Sequence, residues 1–150
     1  LFNLAVFGSL ALALGFLFVG PIPGFALWSL PFSMLSILLG VLIDFFFNLA
    51  IGLTAFTIEE NAGIRLIYQK CVFMLGTFIP VEFLPLWMQT AVKNLPFSYV
   101  SWAPAKLTVA FSWQNFFSLV PRQLLWLAFG VALSALLYRR GLTNIQSHGG

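Results

Sequence analysis

Charged side chains are scarce in this sequence. Seven of its 150 residues are Lys or Arg and four are Asp or Glu, so 7% are charged, whereas a soluble domain has about 25%. Hydrophobic residues make up 61%, and 18 residues are Phe. So few charges cannot cover a soluble domain of this size, and disorder requires low hydrophobicity with high charge. The composition excludes both classes and predicts an all-α integral membrane protein, a helical bundle.

Residues for metal, redox or nucleotide chemistry are also scarce. Cys71, the single cysteine, has no disulfide partner and lies in an apolar stretch, which favours an inert thiol. The single histidine, His148, lies near the end of the chain. No zinc-ligand spacing and no glycine-rich phosphate loop occurs. We therefore predict no metal, no cofactor, no catalytic residue and no nucleotide hydrolysis by this chain.

The net charge of +3 is spread over basic residues that stand alone, apart from the pair Arg139-Arg140. A nucleic-acid-binding protein needs a dense basic patch. The charge is better interpreted as membrane topology, and no nucleic-acid partner is expected.

Four apolar stretches are predicted to span a membrane, which requires about 20 mostly apolar residues for each helix. They are 1–19, 31–56, 64–79 and 116–138. The chain begins inside an apolar run, without the charged region that starts a signal peptide. We expect that an N-terminal part of a longer protein is missing.

The segment 80–113 differs from the spans, because it contains four prolines and three tryptophans. Proline interrupts helices, so this segment is predicted to form short helices that lie in or dip into one membrane interface. The pair Arg139-Arg140 places the C-terminus in the cytoplasm under the positive-inside rule. The tail 139–150 is then cytoplasmic, and its polar part 142–150 is expected to be mobile. The segment 80–113 is external, although it carries Lys93 and Lys106.

Small and polar residues recur every four positions along the second span. They form a slanting stripe that either lines a substrate pathway or packs against protein. The stripe consists of Ser36, Gly40, Asp44, Asn48 and Gly52. Asp44, a carboxyl group in an apolar span, is costly there. It is either part of a pathway or hydrogen-bonded to Asn48 or to a neighbouring helix.

An acidic pair, Glu59-Glu60, lies in the turn between the second and third spans, close to Arg65. Paired carboxylates can perform acid–base chemistry or bind a metal. Adjacent helical residues point about 100° apart, so a solvated turn or an ion pair with Arg65 is the preferred interpretation. This turn is predicted to face the cytoplasm.

The order of motifs towards the C-terminus resembles a known family. Proline and aromatic motifs follow one another at characteristic spacing: Gly76 with Pro80, Pro85 with Trp87, Leu95-Pro96-Phe97 with Tyr99, Pro104-Ala105, Tyr138-Arg139-Arg140-Gly141-Leu142 and Gly149-Gly150. Residues 30–150 resemble the C-terminal part of a bacterial permease of the type-2 ATP-binding-cassette (ABC) exporter family.

The resemblance implies six spans per subunit, of which this chain supplies the last four. It also implies a second permease subunit, identical or paralogous, and cytoplasmic nucleotide-binding ATPase subunits, in the bacterial plasma (inner) membrane. The segment 80–113 corresponds to external re-entrant helices that close the pathway exit. The gate candidates are Pro80, Phe83, Leu84, Pro85, Trp87, Pro96, Phe97, Tyr99, Trp102 and Pro104.

Three functions remain open at this stage. The leading one is the permease subunit of an ABC exporter. Its apolar pathway with few charges suits an amphipathic or lipid-like substrate. An intramembrane enzyme that uses Asp44 or Glu59 is the second, and it lacks a partner group at helical spacing. A membrane scaffold without transport activity is the third.

Overall fold

Helices account for all regular structure in the described part of the protein. The computed structural model describes the ranges 27–56, 61–78 and 81–148, together with Val6, Leu10, Ala13, Leu14, Leu17 and Gly20. No strand occurs among these residues, and the predicted all-α class is confirmed. The predicted first span, 1–19, lies mostly outside the described residues.

The first long helix, α1, extends from Leu30 to Leu53 between two 3-10 turns, Leu27–Ser29 and Thr54–Phe56. Pro31 lies in its first turn, where a missing N–H group costs no helical hydrogen bond. Small side chains dominate the buried side of α1, which lets neighbouring backbones approach closely. The small buried residues are Ser33, Ser36, Gly40 and Ala50.

The next helix, α2, extends over Ala62–Cys71 and continues as a π-helical segment, Val72–Phe78. It covers the predicted span 64–79 as far as the described residues reach. The Asn61 amide donates a hydrogen bond of 3.0 Å to the Ile51 carbonyl. This contact ties the start of α2 to the end of α1.

Short helices follow, as the prolines in 80–113 predict. A 3-10 turn at Val81–Phe83 leads to α3 (Leu86–Lys93), α4 (Pro96–Val100) and α5 (Trp102–Val109). Pro85 precedes α3 and Pro96 begins α4, the places where proline is tolerated. Their location on the external side stays a prediction.

Two side chains of α4 fold back onto the end of α3. Ser98 Oγ donates to the Val92 carbonyl at 2.6 Å, and the Tyr99 hydroxyl donates to the Lys93 carbonyl at 2.7 Å. They satisfy carbonyl groups that a helix end leaves without backbone partners. The turn between α3 and α4 is therefore held by side chains of the following helix.

The last helix, α6, is longer than the sequence indicates, because it extends from Trp113 to His148 with Pro121 inside. The end of the span at Tyr138 and the cytoplasmic tail 139–150 stay predictions, and the backbone is helical from Trp113 to His148. Arg139-Arg140 marks a change from apolar to polar side chains. Such a change leaves the backbone hydrogen bonds of a helix intact.

The core lies where α1, α4, α5 and α6 meet, and the most extensive packing joins α1 to α6. Large apolar side chains also cover the outer faces of these two long helices. Among the described residues, two helical stretches are long and apolar enough to cross a membrane, Leu30–Phe56 and Trp113–Gly141. Only 28% and 22% of their most apolar windows are buried, unlike the core helices of a soluble protein.

Candidate functional site

A buried glutamine joins three helices at the centre of the bundle. Gln123 of α6 is 0% exposed. Its Oε1 accepts a hydrogen bond of 2.9 Å from Ser36 Oγ. Its Nε2 donates to the Ser36 carbonyl and to the Tyr99 carbonyl, both at 3.0 Å. One amide group thus connects α1, α4 and α6 at a fully buried position, where an unpaired polar group costs free energy.

The short helix α4 lies directly against α1 at a glycine. An added Cβ at Gly40 would be 2.5 Å from the Val100 carbonyl oxygen and 3.3 Å from the Tyr99 carbonyl oxygen. A side chain at this position would therefore push the two backbones apart. Nearby, Ser33 Oγ donates to the Leu107 carbonyl at 3.2 Å and holds α5 on the same face of α1.

A second glycine, in the π-helical segment that follows α2, also contacts α4. An added Cβ at Gly76, in the π-helical segment, would be 2.8 Å from the Phe97 carbonyl oxygen. Gly76 and Phe97 belong to two of the motifs on which the family resemblance depends. The structure gives this pair a physical reason, because α4 fits between α1 and the π-helical segment only where both neighbours lack a side chain.

The carboxyl group of Asp44 has a hydrogen-bond partner on a neighbouring helix. The Tyr68 hydroxyl of α2 donates to Asp44 Oδ1 at 3.0 Å. The Asn48 amide donates to the Asp44 backbone carbonyl at 2.9 Å rather than to its carboxyl group. Asp44 therefore links α1 to α2, which corresponds to the helix-packing interpretation in this structure.

The five-residue stripe on α1 does not share one environment. Ser36 and Gly40 are buried, Asp44 and Asn48 are half-buried, and Gly52 is exposed. Residues four apart on an α-helix are about 40° out of register, so the stripe rotates by about 160° over its length. Its first half faces α4 and α6, and its last residue faces outward.

The described gate candidates separate into three groups by burial. Pro96, Tyr99 and Pro104 are buried, and Tyr99 is only 1% exposed. Leu84, Phe97 and Trp102 are half-buried, whereas Phe83, Pro85 and Trp87 are exposed, Phe83 by 84% and Trp87 by 74%. The first group anchors the short helices and the last group forms their outer surface. Pro80 lies outside the described residues.

The predicted cytoplasmic turn is described only at its end. Glu59 and Glu60 lie outside the described residues, and Arg65 is exposed on the first turn of α2. Within the described part of the chain, no group of three His, Cys, Asp or Glu residues could hold a metal ion. Asp44 has no second acid or base among its described hydrogen-bond partners other than Tyr68.

Gln123 is the central residue that sequence reasoning missed. A polar residue inside an apolar run was the available signal. Gln123 shares a helix face with Gly130 and Ser134, which contact α1: Ser134 Oγ donates to the Phe46 carbonyl at 3.0 Å. Among the described residues, every buried side-chain nitrogen and oxygen has a hydrogen-bond partner.

Apolar outer faces together with a small, satisfied set of interior polar groups define an integral membrane protein built as a helical bundle. Over residues 4–149 the sequence matches the family described as ABC-2 family transporter protein. The chain belongs to this family, so it is a membrane permease component of an ABC transport system, a class that works with ABC ATPase subunits. Searches of curated proteins and of solved structures returned no match.

Proposed function

We propose that this chain is the permease subunit of a bacterial ABC exporter in the plasma membrane. It forms the substrate pathway together with a second, identical or paralogous permease. Separate cytoplasmic ATPase subunits drive it, while this chain itself hydrolyses nothing. The observation that carries the proposal is the family match over residues 4–149 in a chain whose two long helices keep most of their apolar surface outward.

The packing of the short helices supports an outward-opening exporter. The short helices of segment 80–113 pack against α1 at Gly40 and against the π-helical segment at Gly76, and bulky side chains such as Phe83 and Trp87 lie on the outer surface of the segment. Small-residue contacts allow one helix group to move against another. We expect the exposed aromatic group to meet the second permease or the lipid and to close the exit by apolar contact.

The test begins with purification of the full-length protein in mild detergent and mass spectrometry of what accompanies it. An ABC ATPase at equal stoichiometry supports the proposal. A folded, monodisperse preparation without any ATPase contradicts it and favours the enzyme or scaffold alternatives.

Direction is tested next, in inside-out vesicles that contain the purified complex. ATP should drive an amphipathic fluorescent solute into the vesicle lumen. A complex whose ATPase subunits bind but do not hydrolyse ATP is the matched control. Movement of only small, strongly hydrophilic solutes would exclude the lipid-like substrate class, and movement out of these vesicles would exclude export.

A further inference from the structure

Three of the seven basic residues of this chain line a single small recess. Lys93 at the end of α3, Lys106 on α5 and Arg122 on α6 surround a space of about 150 Å³. Its remaining lining consists of Trp102, Asn115, Ser118 and Leu119. Among the described residues that line it, none is a carboxylate. The recess is therefore positively charged, and the Asn115 amide and the Ser118 hydroxyl group also line it.

Two of the three cations have neutral contacts in this part of the fold, and Arg122 is exposed. Lys93 Nζ donates to Gln89 Oε1 at 3.2 Å, a neutral acceptor one helical turn away. Lys106 Nζ lies 4.9 Å from the centre of the Trp102 ring, within the range of a cation–π interaction. Three cations that line one recess attract an anion.

A larger apolar pocket adjoins the recess at Arg122. It has a volume of about 470 Å³ and is lined by Tyr99, Leu125, Trp126 and Phe129, with Asn94 and Arg122 at its polar side. Arg122 belongs to both spaces, and Asn94 follows Lys93 directly in the chain. A positively charged recess and an apolar pocket thus lie next to each other across one arginine side chain.

We propose that Lys93, Lys106 and Arg122 bind the phosphate headgroup of an anionic lipid, whose acyl chain occupies the apolar pocket along Leu125 and Phe129. The recess is smaller than the roughly 300–1,000 Å³ typical of sites for drug-sized molecules, so it suits a headgroup. Arginine forms two parallel hydrogen bonds with a phosphate, and lysine contributes a point charge. This site does not depend on the direction of transport.

The proposed lipid also accounts for an imbalance in the sequence. Lys93 and Lys106 lie in the segment predicted to be external, where the positive-inside bias disfavours them. An anionic headgroup at the same place offsets their charge. The lipid would then hold α3 and α5 against the first turns of α6.

The site is tested by titrating phosphatidylglycerol into the full-length protein in a neutral detergent and counting bound lipid by native mass spectrometry. Arg122→Gln and Lys106→Gln should each weaken binding about tenfold or more, as expected for a lost hydrogen bond between charged groups. Arg65→Gln and Lys70→Gln remove exposed cations of α2 and should leave binding unchanged. Equal losses in all four variants would overturn the proposal, because they would indicate attraction by overall charge.

Competitors distinguish a lipid from a free phosphate compound. Glycerophosphate and inorganic phosphate should displace phosphatidylglycerol only at far higher concentration, because neither fills the apolar pocket. Displacement at equal concentration would overturn the lipid assignment and leave a site for soluble phosphate compounds. Leu125→Asn should weaken phosphatidylglycerol binding without changing glycerophosphate binding. An equal change for both ligands would contradict the assigned position of the acyl chain.

Folding of each variant is checked by its elution as a monodisperse species. If Arg122→Gln does not fold, Lys106→Gln carries the test alone, since Lys106 lies on a different helix. Unchanged lipid binding in a folded Lys106→Gln variant would overturn the proposal. Transport is measured separately, so loss of lipid binding with transport intact separates this site from the substrate pathway.

Discussion

Gln123 connects three helices through the hydrogen bonds of one side chain. Its amide satisfies the Ser36 hydroxyl and the Tyr99 carbonyl in the interior. Gln123→Leu keeps the volume and removes every one of these hydrogen bonds. We expect a loss of about 1–3 kcal/mol in the free energy of unfolding, the cost of buried polar groups without partners. Unfolding by SDS in mixed micelles measures it.

Gln114→Leu is the matched control for this prediction. Gln114 lies on the same helix and is exposed, so its replacement should change the free energy of unfolding by no more than about 0.5 kcal/mol. Equal effects of the two substitutions would contradict the role assigned to Gln123.

Asp44 and Tyr68 form the second residue-scale contact, between α1 and α2. Asp44→Leu, Tyr68→Phe and the double variant form a double-mutant cycle, because leucine removes the acceptor that asparagine would keep. We expect a coupling of about 0.5–2 kcal/mol, the range for interhelical hydrogen bonds in membranes. Asp44→Leu combined with Tyr138→Phe, an exposed tyrosine on α6, should be additive.

The variant Asp44→Asn distinguishes a structural role of the Asp44 carboxyl group from a catalytic role. A structural Asp44 predicts that Asp44→Asn lowers stability and that transport falls only in proportion to the folded fraction. Complete loss of activity in a fully folded Asp44→Asn variant would instead support a catalytic or pathway role.

Among the described helices, α4 makes close backbone contacts with two neighbouring elements. Its carbonyl groups meet Gly40 on one side and Gly76 on the other. Gly40→Ala and Gly76→Ala should each lower the free energy of unfolding by about 1–3 kcal/mol, because overpacking displaces a backbone rather than a flexible side chain. Thermal unfolding in detergent, compared between the wild-type protein and each variant, measures this loss of stability.

Gly52→Ala supplies the control for both glycines. Gly52 lies on α1 with nothing within 4 Å of an added Cβ, so alanine should be neutral or stabilising by up to about 1 kcal/mol. A destabilising Gly52→Ala, or a neutral Gly40→Ala, would contradict close packing as the reason for these glycines.

At the scale of the whole molecule, the predicted topology can be tested by cysteine accessibility. In a Cys71→Ala background, an impermeant maleimide should label Thr90→Cys on α3 in intact cells. Arg65→Cys at the start of α2 should react with the maleimide only after the membrane has been permeabilised. Both positions are exposed in the fold, so a reversed labelling pattern would invert the orientation.

Much of this organisation could be predicted from composition and spacing. Apolar runs predicted α1 and most of α6, and prolines predicted the short helices between 80 and 113. The predicted span 116–138 lies within α6, and the helix continues past Arg139-Arg140 because a change from apolar to polar side chains leaves the backbone hydrogen bonds intact. The gate candidates were chosen by residue type, so buried Tyr99 and exposed Trp87 were assigned together.

Composition, local periodicity and the order of motifs were enough to predict the membrane environment of this protein, its helical class and its family. They were not enough to predict which polar groups meet, because those contacts follow from the packing of distant segments. Gln123 and Ser36 are 87 positions apart in the chain, and Lys93, Lys106 and Arg122 come from three helices. No local sequence pattern predicts contacts between residues so far apart in the chain, because these contacts form only when the helices pack.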